Sequence, residues 1–317
     1  MSAAGYSVAA GRRNRSSTAE HPERAGRLAS LECVVNVSEG RAGDRLEQLA
    51  TACGEVLLDL HRDPDHHRSV LTLGGPGQLV EEAARALTAT AVASLDLTGH
   101  DGRHPRIGVV DVVPFVPLDR SPSGGSAPVD LSPAVAARGR FARWAAAELG
   151  LPCFLYGPLP DGTVRSLPEV RKRAFAGLVP DRGPTAAHPT AGACAVGARP
   201  VLVAYNLWLA GGDLGLARSV GAAIRGPAVR ALGLELSGAV QVSCNLIDPL
   251  QVGPAQVYDV VTGMLEGSGV GVDRTELVGL LPEAALQAVP AGRWEQLDLR
   301  PETTIEARLS RRGFRPG

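Results

Sequence analysis

From residue 31 onward, short apolar blocks alternate with longer stretches in which apolar residues recur every three or four positions. The first pattern predicts strands and the second predicts amphipathic helices. Residues 31–37 read as a strand, 43–53 as a helix, and 56–60 as a strand that ends in His61-Arg-Asp-Pro-Asp-His66-His67-Arg68. Residues 69–73 read as a further strand, 78–95 as a long Ala-rich helix, and 109–116 as a Val-rich strand. The order β-α-β-β-α-β is that of the ferredoxin-like fold, an antiparallel sheet with both helices on one face.

The same order returns later without obvious sequence identity. Strands are expected at 201–206, 231–236, 240–246 and 276–281, and helices at 214–224 and 255–265. The fold class is therefore α/β in the α+β sense: two ferredoxin-like βαββαβ subdomains, helices on the outer faces and a ligand cleft between them. The expected layout is a disordered tail at 1–30, a catalytic subdomain at 31–199, a second subdomain at 200–300 and a C-terminal tail at 301–317, basic and mobile from Arg308. Between the two rounds lie a Ser/Gly turn at 121–126, an Ala-rich helix at 133–149 and a short strand at 152–156. The stretch from Pro180 to Gly197 is rich in Gly, Pro and small residues. It reads equally as a surface connection or as backbone that lets a flat ligand approach closely.

Composition narrows the class. With 32 Lys plus Arg against 33 Asp plus Glu, the formal net charge is -1, and nucleic acid is not expected as the main partner. No uncharged apolar run reaches the roughly 18 residues that span a bilayer, so no membrane partner is expected. The arginines at 12, 13, 15 and 24 are followed by no hydrophobic core, which argues against a secretory signal. Cys33, Cys53, Cys153, Cys194 and Cys244 are odd in number, widely spaced and mostly set in apolar runs. They are expected to be buried reduced thiols of a cytoplasmic protein.

Six of the seven histidines fall between His61 and His188. His61, His66, His67, His100 and His104 lie on two loops that flank strands of the first sheet, with Arg68 and Arg106 beside them. A lone histidine is usually structural; clustered on two loops, they mark a site. In one reading these histidines and Asp59, Asp63, Asp65 and Asp111 bind a transition metal, Asp65-His66-His67 resembling a motif of metal-dependent phosphoesterases. The other acidic motifs of such hydrolases are absent, and a glycine spoils helical spacing between His100 and His104. In the other reading one imidazole shuttles a proton while arginines hold substrate carboxylates.

Several motifs, in order over about residues 31–290, resemble the formiminotransferase-domain family of formimidoyltransferase-cyclodeaminases and their stand-alone bacterial relatives. They include Asn36-Val-Ser38-Glu39-Gly40, His100-Asp-Gly-Arg-His104-Pro-Arg-Ile-Gly108, Arg165-Ser-Leu-Pro, Pro180-Asp-Arg-Gly-Pro and Ser243-Cys-Asn245-Leu-Ile-Asp248. The resemblance implies transfer of a formimidoyl group from N-formimidoyl-L-glutamate to N5 of tetrahydrofolate, a step of histidine degradation. It implies tetrahydrofolate as co-substrate, no metal, and a homodimer. It places the catalytic imidazole at His104. The folate-binding segment falls at Gly183-Pro184-Thr185-Ala186-Ala187-His188-Pro189-Thr190-Ala191-Gly192.

N5 would attack the amidine carbon, and the glutamate amine would leave from a tetrahedral centre. One nitrogen loses a proton and the other gains one, which a single imidazole can manage in sequence. Asp59 or Asp111 would face the cationic amidinium, and Arg68 and Arg106 would clamp carboxylates. His61, His67 and Asp101 stand where the mammalian pattern has aspartate, asparagine and lysine. These departures leave room for another donor or acceptor in formyl or formimidoyl transfer. The readings from other classes are a metal-dependent hydrolase and a non-catalytic folate-binding protein.

Overall fold

The computed structural model describes residues 29–102, 105–118, 129–236 and 238–315. Most of the expected N-terminal tail, the turn at 121–126, His104 and the last two residues lie outside them.

The first round is β1 (Ser30–Val37), α1 (Gly43–Cys53), β2 (Leu57–Asp63), β3 (Arg68–Pro76), α2 (Gly77–Ser94) and β4 (Val110–Pro117). Its four strands pair antiparallel in the order β2-β3-β1-β4, the ferredoxin-like arrangement. Alternate residues Cys33, Val35 and Val37 face Leu46 and Leu49 of α1 and Val80, Ala84 and Leu87 of α2 in one core. This period of two in the strand against three to four in the helices buries a single face of each element.

The insert extends this sheet. It comprises α3 (Ser132–Leu149), β5 (Cys153–Pro158), β6 (Val164–Arg165), α4 (Leu167–Arg173) and β7 (Cys194–Ala198). The whole sheet has seven strands, β2-β3-β1-β4-β7-β5-β6, with β7 parallel to both β4 and β5. The small residues of β7, which in sequence read equally as a surface connection or as backbone open to a flat ligand, are wholly buried between two layers. A Cβ on Gly197 would lie 2.0 Å from the Tyr156 ring, so only glycine fits there.

The second round is β8 (Val203–Ala210), α5 (Leu214–Ala223), β9 (Val229–Leu236), β10 (Ala239–Leu246), α6 (Pro254–Leu265) and β11 (Gly271–Val278). Its sheet order, β11-β8-β10-β9, repeats that of the first round. Val203, Tyr205, Leu207, Val242 and Cys244 pack on Ala217, Val220, Val257 and Val261 from α5 and α6. All five cysteines are buried and unpaired.

Two short helices depart from the expectation of helices on outer faces alone. Val170 of α4 packs with Val112, Phe154 and Ala195 on the opposite face of β4, β7 and β5. After α7 (Glu283–Gln287), α8 (Ile305–Arg311) returns to the first sheet, where Ile305 and Leu309 pack with Leu58 and Leu280. The mobile tail expected from Arg308 instead begins inside this helix, whose last residues run to Arg311. The Thr304 hydroxyl caps α8 by accepting from Ala307 N, and an i, i+4 apolar pair supplies the buried stripe that two arginines mask in sequence.

Candidate active site

Three loops converge at the ends of β1, β3 and β4. The first, after β1, carries Ser38-Glu39-Gly40. A Cβ on Gly40 would stand 2.2 Å from Asp63 O and 2.6 Å from Arg68 N, so the close approach of the β2-β3 hairpin requires glycine. The Ser38 hydroxyl donates to Gly108 O at 2.8 Å, which ties this loop to the one before β4. Glu39 Oε1 accepts from Arg41 N and Ala42 N at 2.7 and 2.9 Å. Burial alone would raise the Glu39 pKa, but those amides, with His67 and Arg45, bring it below the ordinary carboxylate range.

On the hairpin, Asp63 accepts from His66 N at 2.7 Å and also pairs with the His66 imidazole. Arg68 is the hub of the next layer. Its Nε and Nη2 donate to Asn36 Oδ1 at 3.1 and 2.6 Å, and Nη1 donates to Asp111 Oδ2 at 2.7 Å. Burial lowers the Arg68 pKa to about 10, with Asp111 opposing that shift and Arg171 adding to it. Asp111 is completely buried; its Oδ1 accepts from Ile107 N at 2.8 Å and its Oδ2 also accepts from Arg171 Nη2 at 2.5 Å.

Arg106 is fixed from below. Its guanidinium donates to His67 O and His66 O at 3.1 and 2.8 Å and lies 2.8 Å from His100 Nε2. The His67 and His100 rings stack with centroids 4.2 Å apart. Burial lowers both imidazole pKa values, and for His100 the neighbouring Arg106 charge lowers it further. Both rings are therefore mainly neutral at pH 7. They line a cavity of about 150 Å³ with Ser38, Glu39 and Asp101.

The Gly/Pro segment ends against the loop before β4. Thr190 O accepts from Leu97 N at 2.8 Å, Ala191 O from Val109 N at 3.0 Å, and Ile107 O from Ala193 N at 2.8 Å. Residues 183–187 are exposed, whereas Ala191 and Gly192 are buried. Gly183 and Gly192 adopt φ of 87° and 72°, where a side chain would be strained.

Of the residues singled out in the sequence, Arg68, Arg106 and Asp111 come together, and the end of the 183–192 segment joins them. Asp59 does not: its carboxylate lies 3.4 Å from Arg308 of α8. Burial raises the Asp59 pKa, with Arg308 opposing. Asn36 and Arg171 are polar and charged members of the constellation that residue patterns alone missed. Ser166, three positions before Glu169, is a helix-start signature that would have placed α4 and hence Arg171. Among the described residues, no group of three or more His, Cys, Asp or Glu side chains is arranged to hold a metal ion.

Fold and site together define an α+β protein with two split β-α-β sheets, whose loops set neutral imidazoles and guanidiniums around a buried carboxylate. Residues 30–199 match the family model described as the formiminotransferase domain, N-terminal subdomain. The chain is 35% identical over 277 residues to a glutamate formimidoyltransferase of Streptococcus pyogenes, covering 81% of this chain and 90% of that protein. It is 32% identical over 282 residues to one of Thermoplasma acidophilum, with 82% and 90% covered. It is also 33% identical over 288 residues to the pig formimidoyltransferase-cyclodeaminase, covering 81% of this chain and 51% of the pig protein. The chain belongs to the formiminotransferase-domain family, and it is an enzyme of the transferase class.

Proposed function

We propose that this enzyme transfers the formimidoyl group of N-formimidoyl-L-glutamate to N5 of tetrahydrofolate, with His104 as general acid and base. The observation that carries the reading is the stitching of residues 191–193 onto 107–109, between the end of the proposed folate segment and the segment that follows His104-Pro105. A flat pterin held by glycine-rich backbone is thereby set beside the loop that carries the imidazole.

In this reading N5 of the folate forms a bond to the amidine carbon, and the C–N bond to the glutamate amine breaks. His104 accepts the proton from N5 and returns it to the departing nitrogen, so atoms and charge balance without a metal. The stacked pair His67 and His100, kept neutral by burial and by Arg106, adds no positive charge against the amidinium donor. Arg68 faces a carboxylate of the substrate, Arg106 orders the two histidine loops, and Asp111 acts on the substrate side through Arg68. The substrates are small molecules, and the reading includes a cytoplasmic homodimer. No helix among the described residues is long and apolar enough to cross a membrane.

The test is turnover of purified enzyme with tetrahydrofolate and N-formimidoyl-L-glutamate, followed by the absorbance of the folate product. His104→Ala is expected to abolish turnover while folate affinity is retained. Folate binding without turnover in the unaltered enzyme would redirect the search to another formimidoyl or formyl donor.

A further inference from the structure

Asp111 is closed to a substrate cation by burial. One carboxylate oxygen takes the Ile107 amide and the other takes two guanidiniums, and the side chain is only 1% exposed. Arg171 thus shares its one carboxylate with Arg68, which leaves its own charge incompletely balanced among the described residues.

Arg171 is the guanidinium placed to receive an anion from outside. Arg106 is committed to two backbone carbonyls and an imidazole. Arg171 makes only two hydrogen bonds among the described residues, from Nη1 to Pro105 O at 2.9 Å and from Nη2 to Asp111. Its Nε is buried and has no partner there. A guanidinium has five N–H donors, so capacity remains. Its side chain is 19% exposed and that of Arg68 12%, enough for a small ligand to reach both.

We propose that Arg171 is a specificity-determining residue that, with Arg68 across Asp111, binds a carboxylate of the formimidoyl donor. Asp111 is then a positioning residue which holds the two guanidiniums at a fixed separation. This rests on the transfer reaction set out above. It adds a residue from α4, outside the histidine loops.

The experiment uses the full chain with tetrahydrofolate and two donors, N-formimidoyl-L-glutamate and its counterpart with both carboxylates amidated. For Arg171→Gln, KM for the glutamate donor should rise by about 10- to 100-fold, the loss of one charge-assisted contact. KM for tetrahydrofolate should stay within about twofold, since the proposal leaves folate contacts untouched. The unaltered enzyme should prefer the glutamate donor, and the variant should lose most of that preference. Arg171→Lys, which keeps the charge and loses the fork, should fall between, and it carries the test if the Gln variant does not fold. Undiminished preference in a folded variant, or a KM change confined to tetrahydrofolate, overturns the assignment. An unaltered enzyme that turns over neither donor overturns the reaction instead. In that case calorimetry with L-glutamate decides the clamp: binding lost in Arg171→Gln supports it, and binding unaffected by the substitution, or absent from both proteins, overturns it.

Discussion

His61 Nε2 on β2 stands 3.3 Å from Glu276 Oε1 on β11, and this ion pair joins the first sheet to the second. Glu276 Oε2 also accepts from Asn206 Nδ2 and Trp208 Nε1, both at 3.0 Å. Burial works against ionisation of both partners, but their contact outweighs it. The His61 pKa is raised, and Glu276 is lowered from 4.5 to about 2. The His61 contribution is complete below its unfolded value near 6.5 and is lost as pH rises through the raised folded value. That of Glu276 is present above 4.5 and is lost as pH falls toward 2. His61→Asn should therefore cost about 1 kcal/mol at pH 5.5, read as a lower melting temperature, and nothing at pH 9. An equal loss at both values would show that the imidazolium is not what holds the sheets together.

Glu32 is buried on β1, and burial raises its pKa from 4.5 to about 7, with Arg199 opposing and Glu306 adding. Its folded value exceeds its unfolded one, so stability falls as pH climbs from 4.5 to about 7 and then levels off. Glu32→Gln should raise stability at pH 8 by about 1–3 kcal/mol and leave it unchanged at pH 4.5. Paired melts at the two pH values decide the matter.

Asp111→Asn keeps the shape but leaves Arg68 and Arg171 without their shared negative charge. Removing one partner from a buried pair costs about 3–5 kcal/mol, so the midpoint of urea unfolding should move down markedly. If the variant is as stable as the unaltered enzyme, the two guanidiniums do not depend on Asp111.

Gly108 marks where the loop before β4 meets the end of the Gly/Pro segment. A Cβ there would lie 1.9 Å from Ala193 O, and backbone cannot yield as a side-chain tip can. Gly108→Ala should destabilise by about 2–4 kcal/mol and raise KM for tetrahydrofolate more than KM for the donor. A well-folded variant with normal folate KM would separate this junction from folate binding.

Alternation and helical periodicity were enough to read both rounds of the fold, because each of those elements has one face in a core and the period of the pattern reports it. The α1 helix at 43–53 was bounded to the residue. The edges were harder. β11 begins five residues earlier than expected, at Gly271, because its first half, Gly-Val-Asp-Arg, lies on an edge and has no buried residue to show a period. β7 was missed because a strand sandwiched between two layers needs small residues on both faces, which in sequence look like connection.

The sequence by itself determined the two split β-α-β units, the histidine loops and the likeness to a family, since these depend on neighbours along the chain and on motif order. Only the tertiary structure decided which charges meet. Asp111 lies 43 residues from Arg68 and 60 from Arg171, and His61 lies 215 from Glu276; no local pattern reports a pairing across such separations. Electrostatic partners are chosen by distance and desolvation in space, so the division of labour among the arginines became visible only when the sheets were in place.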